Sequence, residues 1–395
     1  MFPRQKKKFP FLFFSLFILA GLFYHPHFRL PTPTPSAQEP LIKVLIRKAS
    51  NQNSIQLKIT GSYQLFDVKG EEIYVGQDLP RTEITIEGGF FQIGVFRIER
   101  NWVKVVPALG ALFEVQNISY RGSLLLSVVG EKIQSVLELP MEQYLLGVIG
   151  SEVSNSWPLP CLEAQALVAR SYALFQYQKS SPEKNYQLED TVSSQVFTGL
   201  KTENEQVFHA VQNTRGIVLK YAGKLFSTYF HSTCSGHTTS ALGLLDNKEI
   251  LPLSGVSCPY CKESKYYSWE TACPQEEILV ALEALGPIPS HQIVSIHPLQ
   301  LDSSGRSQQI NLLFDNGVSK TYKSNDFRRI IGYSKLRSLK FEGKVQNQQI
   351  VFQGGGFGHG VGMCQMGAKK MSELGFYCRD IVLFYYPGAT LEKIW

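Results

Sequence analysis

Between Leu41 and Leu139 the chain is dominated by apolar residues at every second position: Ile42, Val44 and Ile46; Ile55, Leu57 and Ile59; Ile84 and Ile86; Leu124, Leu126 and Val128. A period of two puts such residues on one face of a strand, so short strands are expected, with turns at Lys69-Gly70, Gly88-Gly89 and Arg121-Gly122. No ionisable cluster in this stretch suggests chemistry, so its expected role is scaffold or binding. After Glu152 the texture changes. Asn155 or Ser156 can cap a helix whose first turn takes Pro158 and Pro160, because early helical amides lack an internal acceptor anyway. Leu162, Ala166, Ala169 and Ala173 then form a stripe of mostly small residues along it. Further on, Gln275 to Leu285 reads as a helix ended by Gly286, and Ser324 opens a short one. Ile293 to Ile296, Ile310 to Phe314 and Gln349 to Phe352 read as strands. The expected class is α+β, a mixed, β-rich body with helices packed around a cleft.

A different kind of segment precedes this body. Arg4, Lys6, Lys7 and Lys8 stand before sixteen uncharged residues, Phe9 to Tyr24, slightly short of the roughly 20 that an untilted span needs. The basic cluster lies on the side that stays cytoplasmic, and no A-x-A site closes the apolar run. A retained signal anchor is expected; a cleaved signal peptide, with Ser36-Ala37 as a remote site, is the alternative. Residues 25–40 hold five prolines and read as an extended spacer. The expected order is a basic cytoplasmic tail (1–8), anchor (9–24), Pro-rich linker (25–40), a β-rich part (41–139) and a second part (140–395), with the folded portion on the outer face of the cytoplasmic membrane. At 395 residues, 44% apolar and 12% aromatic, the chain can bury sizeable cores. Its formal charge of +6 owes four units to the N-terminal cluster, so a nucleic-acid partner is not indicated.

Glu152 is the most informative ionisable residue. Its neighbours include Leu145, Leu146, Val148, Ile149 and Val153, and no Lys or Arg lies within ten residues on either side. Such surroundings disfavour the charged carboxylate and raise its pKa, which suits a proton donor at neutral pH. Glu142 and Glu163 are the nearest other acids and read as a turn residue and a first-turn helix residue.

Residues 354–368, GGGFGHGVGMCQMGA, hold seven glycines. No register matches G-x-G-x-x-G and no Gly-Lys-Ser/Thr follows, so a nucleotide loop is not supported. Dense glycine lets backbone approach a ligand and leaves His359 uncrowded, free to bind sugar or assist proton transfer; a structural turn with a satisfied histidine is the alternative. Seven cysteines include Cys258-Pro-Tyr-Cys261, and Cys234 and His237 lie upstream. Cys234, His237, Cys258 and Cys261 are the expected ligands of one structural zinc, with His231 a substitute and disulfides the alternative. The CPYC pair also copies a glutaredoxin-type dithiol, although KESKYYSW rather than a clear helix follows it. Cys161, Cys273, Cys364 and Cys378 lack ligand spacing and read as buried apolar residues. No organic cofactor is expected.

The ordered set LPMEQYLLGVIGSEV, WPLPCLEAQALVARSYAL, SSQVFTG, FHSTCSGHT and GFGHGVGMCQMGA resembles the stage II sporulation protein D (SpoIID) family with its LytB-type relatives. IKVLI, YQLFDVKG and YRGSLLL extend the likeness to residues 41–395. The resemblance implies a membrane-anchored lytic transglycosylase acting on peptidoglycan strands that an amidase has stripped of peptides. It does not carry over a sporulation role as against one in cell division. The family's catalytic glutamate falls on Glu152, its Ser/Thr-Gly segment on Ser232 to Thr238 and its Gly-rich motif on Gly356 to Gly367. Expected substrate contacts are Gln195, Tyr229, His231, Ser232, Gly356, Gly358, His359, Gly360 and Gln365. Some members carry zinc near the active site. An ordinary glycosidase needs two carboxylates. A lytic transglycosylase needs one, because the C6 hydroxyl of the same sugar supplies the nucleophile and the product is a 1,6-anhydro end. Rival readings are a glycan-binding protein that modifies an amidase without cutting, and a CPYC redox protein.

Overall fold

The computed structural model describes residues 38–395 apart from 95, 182 and 247. The expected tail, anchor and nearly all of the linker lie outside the described residues, among which no helix is long and apolar enough to cross a membrane.

The alternating segment forms most of an 11-stranded sheet. Strands Leu41–Leu45, Lys132–Pro140, Ser123–Val129, Trp102–Pro107, Ser54–Phe66 and Glu72–Glu87 are neighbours in that order. Alternation decides which side chains turn inward: Ile55, Leu57 and Ile59 are 1–2% exposed, while the residues between them are only partly buried. The expected turn at Gly88-Gly89 joins Glu72–Glu87 to Phe90–Ile93, and both glycines have positive φ, +59° and +80°, as a tight two-residue hairpin requires.

The last strand of this run ends at Pro140 and leads directly into helix α1, Met141–Glu152. After a short turn follows α2, Leu159–Lys179. The expected side-chain cap is not made. Pro158 is the N-cap residue, its carbonyl takes the Cys161 and Leu162 amides, and Ser156 bonds instead to Ser154. The small-residue stripe packs into the first core with α1 and the sheet. The opposite face of α2, with Cys161, Ala164, Leu167 and Val168, packs into a second core. A helix apolar on both faces is an interior one, and α2 separates the two cores. Because the first core runs from Ile42 to Val218, it joins the β-rich part to the helices across the expected boundary at 139/140.

Helix α3, Glu205–Asn213, is capped by Asn204, whose side chain accepts the Val207 amide. The chain then builds a lobe with a core of its own, including Trp269, Ile278, Ile296, Leu312, Phe327 and Phe352. It contains two three-stranded sheets and the expected helices α4, Gln275–Glu283, and α5, Ser324–Ile331. The chain returns through strand Met363–Cys364, which pairs in parallel with Phe230–His231, and closes with α6, Gln365–Glu373, and α7, Cys378–Tyr385. The mixed α+β class is as expected.

Candidate active site

Glu152 is the last residue of α1, and Val153 leaves the helix in extended backbone. Gly147 and Gly150 face the Phe197–Thr202 segment so closely that a Cβ on either would collide with it. This contact brings the Val196 amide to Glu152 Oε1 at 2.6 Å. Among the described residues the carboxyl group has no ion-pair partner and no hydrogen bond besides that amide. Burial among apolar groups raises the Glu152 pKa from 4.5 to about 7, while the Val196 N–H opposes the rise.

Glu152 opens on a cleft of about 750 Å³ and, among the described residues, is the only carboxylate that lines it. Tyr229, His231, Ser232, Gly358, His359 and Gln365 line the same cleft, as expected. Both imidazoles are held by the Val361 backbone. Its carbonyl accepts from His231 Nδ1 at 3.0 Å, and its amide donates to His359 Nδ1 at 3.0 Å. His231 Nε2 is therefore a lone-pair acceptor, buried and without a protein partner among the described residues. The His359 ring also interacts with the Phe230 backbone. Burial, with Arg328 nearby, lowers the His359 pKa to about 3, which favours the neutral imidazole. Gly358 has φ +108°, and a Cβ there would lie 2.7 Å from that of His231, so glycine permits the close approach of the two loops.

Three expected substrate contacts sit elsewhere. Gln195 is 1% exposed; its Oε1 accepts from the Tyr144 hydroxyl at 3.0 Å and its Nε2 donates to the Ala169 carbonyl. That amide is a core group, and the neighbouring Val196 backbone does the work at the cleft. Gly356 is turned inward, its amide donating to Tyr266 and its carbonyl accepting from the Trp269 indole. Gly360 lies against the Arg306 guanidinium, where a side chain would collide. Glu142 is likewise no turn residue. It lies in the first turn of α1, 3% exposed, and pairs with the fully buried Arg170 at 2.7 Å. Conversely, Ser151, Trp157, Tyr172 and Phe357 line the cleft without having been singled out. Trp157 lies just before α2, and Tyr172 is on it beside Ala173, the last residue of the small-residue stripe.

Of the four expected zinc ligands the structure gathers three, Cys234, Cys258 and Cys261, and adds Cys364. The sulfurs of Cys234, Cys258, Cys261 and Cys364 lie within 4.8 Å of one another, and all four residues are at most 1% exposed. His237 is outside the group because its Nδ1 donates to the Thr238 carbonyl at 2.6 Å. Nor is Cys364 the isolated apolar residue expected. None of the seven cysteines is in a disulfide, and both CPYC cysteines are buried, which disfavours thiol exchange there.

A family model described as stage II sporulation protein (SpoIID) matches residues 129–221, and one described as a domain of unknown function (DUF8618) matches residues 255–362. Stage II sporulation protein D of Bacillus amyloliquefaciens is 32% identical over 275 residues, 66% of this chain and 76% of that protein. The chain belongs to the stage II sporulation protein D family. An uncharacterised protein of Brachyspira hyodysenteriae is 30% identical over 365 residues, 87% of this chain and 94% of its own length. The similarity thus takes in the lobe as well as the family segment holding Glu152. An amidase enhancer of Bacillus subtilis is 28% identical over 295 residues, 63% of this chain but 40% of the enhancer.

Proposed function

We propose that this family member is a membrane-anchored lytic transglycosylase of the cell wall. It cleaves MurNAc–GlcNAc bonds in peptide-stripped peptidoglycan strands on the outer face of the cytoplasmic membrane. The observation that carries the reading is the single carboxylate of the cleft, Glu152, with a pKa raised to about 7 by burial. Its neutral carboxyl gives a proton to the glycosidic oxygen as the C1–O bond breaks. The resulting carboxylate takes the proton of the C6 hydroxyl while O6 closes on C1, so one residue serves as acid and then base. No water is consumed, and the second carboxylate of a hydrolase has no counterpart to fill. Trp157, Tyr172 and Tyr229 offer apolar ring surfaces to sugar faces. His231 and Ser232 line the cleft, where the Ser232 hydroxyl would meet sugar hydroxyls, and Gln365, whose Nε2 reaches Gln165 Oε1 at 3.4 Å, is braced from behind. Digestion of purified, amidase-stripped glycan tests the reading: wild type yields anhydro-muramyl ends, and Glu152→Gln binds the glycan without producing them.

The likeness to an amidase enhancer favours one second reading, a glycan-binding protein that acts on an amidase without cutting. Wild type that binds stripped glycan, leaves it intact and raises the activity of an added amidase supports that reading instead.

A further inference from the structure

The lobe follows the family segment, the chain returns from it beside strand Phe230–His231, and cysteines stand at both of its ends. Cys258 and Cys261 stand at the entrance, joined by the one-turn segment Pro259–Cys261, and Cys364 stands at the exit. Cys234 comes from the loop after strand Phe230–His231, two residues after Ser232 of the cleft. Sequence separation hides the set, since 102 residues lie between positions 261 and 364. We propose that Cys234, Cys258, Cys261 and Cys364 bind one zinc ion, which pins both ends of the lobe to the loop that forms the cleft wall opposite Glu152.

Three observations carry this. First, four sulfurs around a tetrahedral zinc with Zn–S bonds of about 2.3 Å lie about 3.8 Å apart. Here all four fall within 4.8 Å, with Cys234 and Cys261 at 3.4 Å. Second, the sulfurs already receive the hydrogen bonds that orient metal-bound thiolates. The Cys234 amide donates to Cys364 Sγ at 3.3 Å, the Gly236 amide donates to Cys261, and the Tyr385 hydroxyl stands 3.2 Å from Cys258 Sγ. Third, the charge of the surroundings suits an anionic centre. Arg306, 2% exposed, reaches in from the lobe, donating to the carbonyls of Cys234 and His237 at 2.8 and 3.0 Å. It has no carboxylate ion pair among the described residues, and its Nε has no partner there. Lys340, also from the lobe, donates to the Ser235 carbonyl at 2.8 Å. A buried guanidinium demands a compensating charge. Asp302, whose carboxylate accepts the Arg306 amide, supplies one such charge; four neutral thiols add none, whereas zinc with four thiolates carries two negative charges.

On binding, each thiol loses its proton to solvent and its sulfur takes the metal. The ion then joins Cys234 to Cys364, which directly precedes Gln365 of the cleft, and holds the paired strands Phe230–His231 and Met363–Cys364 from behind. His231 and the Gly-rich loop are thereby fixed from the side away from the sugar.

The test is elemental analysis of the full chain, purified without metal-affinity resin, together with cobalt substitution and limited proteolysis. Wild type should carry about one zinc per chain, and its cobalt form should show the absorption of a tetrahedral tetrathiolate. Cys364→Ser should lose the metal and His237→Ala should keep it. Tyr385→Phe should weaken binding about 10-fold or more. Should the cysteine variant not fold, wild type stripped by chelator answers the same question: it should become cleavable near the lobe's ends and regain resistance when zinc is returned. Metal-free wild type that gains neither zinc nor protection from added zinc, iron in place of zinc, or loss of zinc in His237→Ala while Cys364→Ser keeps it would each overturn the assignment.

Discussion

The two ends of α1 hold two glutamates ten residues apart in opposite states. Glu142 sits in the first turn, where the helix dipole favours a negative charge, and meets Arg170, the Gly216 amide and the Trp395 indole. Glu152 sits in the last turn, where the dipole disfavours charge, and meets one amide and an apolar wall. The first carboxylate is fully committed to structure. The second has its charge withheld and faces the cleft, so proton donors are distinguished by missing partners rather than by added ones.

The largest break in this comparison is Glu152→Gln, which should lower glycan cleavage by about 10²–10⁴-fold with glycan binding retained. Cleavage by purified variants, normalised to the folded fraction, checks it. At the other end, Glu142→Ala leaves Arg170 buried without its counter-charge and should cost about 3–5 kcal/mol of stability, read by urea unfolding. Activity per folded molecule should stay near that of wild type.

A pH series sharpens the contrast. Because burial raises the Glu152 pKa from 4.5 to about 7, the folded state holds its proton more tightly than the unfolded chain does. Stability from this group is fully present below about pH 4.5, is lost as pH rises through about 7, and is flat beyond. The loss amounts to at most about 3 kcal/mol, and Glu152→Gln should abolish that slope. Cleavage should decline above about pH 7 as the acid form disappears. His359 should add no ionisation between pH 5 and 8, since its pKa is held near 3.

The smallest effect belongs to Gln195→Ala. Loss of its bonds to Tyr144 and Ala169 should cost about 1–3 kcal/mol of stability while KM for glycan stays unchanged. A raised KM with unaltered stability would return Gln195 to the cleft.

Much of this was legible from residues. Period-two alternation reports burial on one face, so the strands from Leu41 to Leu139 followed directly. Glu152 was legible because its defining property, the lack of nearby cations, is local along the chain. The arginine that neutralises Glu142 is 28 residues away on α2, and that distance hid the pairing. Gln195 illustrates a different limit: a motif locates a segment, but the contribution here is the backbone amide of the next residue, which leaves no side-chain signature. Cys364 was missed because ligand spacing is readable only within a short loop, whereas a whole lobe separates it from the CPYC pair. His237 misled for the converse reason, being near in sequence but bonded to its own loop.

Mass spectrometry of amidase-stripped glycan digested in heavy-oxygen water tests the one-carboxylate account most directly. The account predicts muramyl ends lighter by one water than hydrolysed ends and free of the heavy label, because O6 and not solvent attacks C1. Reducing ends carrying the label would show that water is the nucleophile and contradict it.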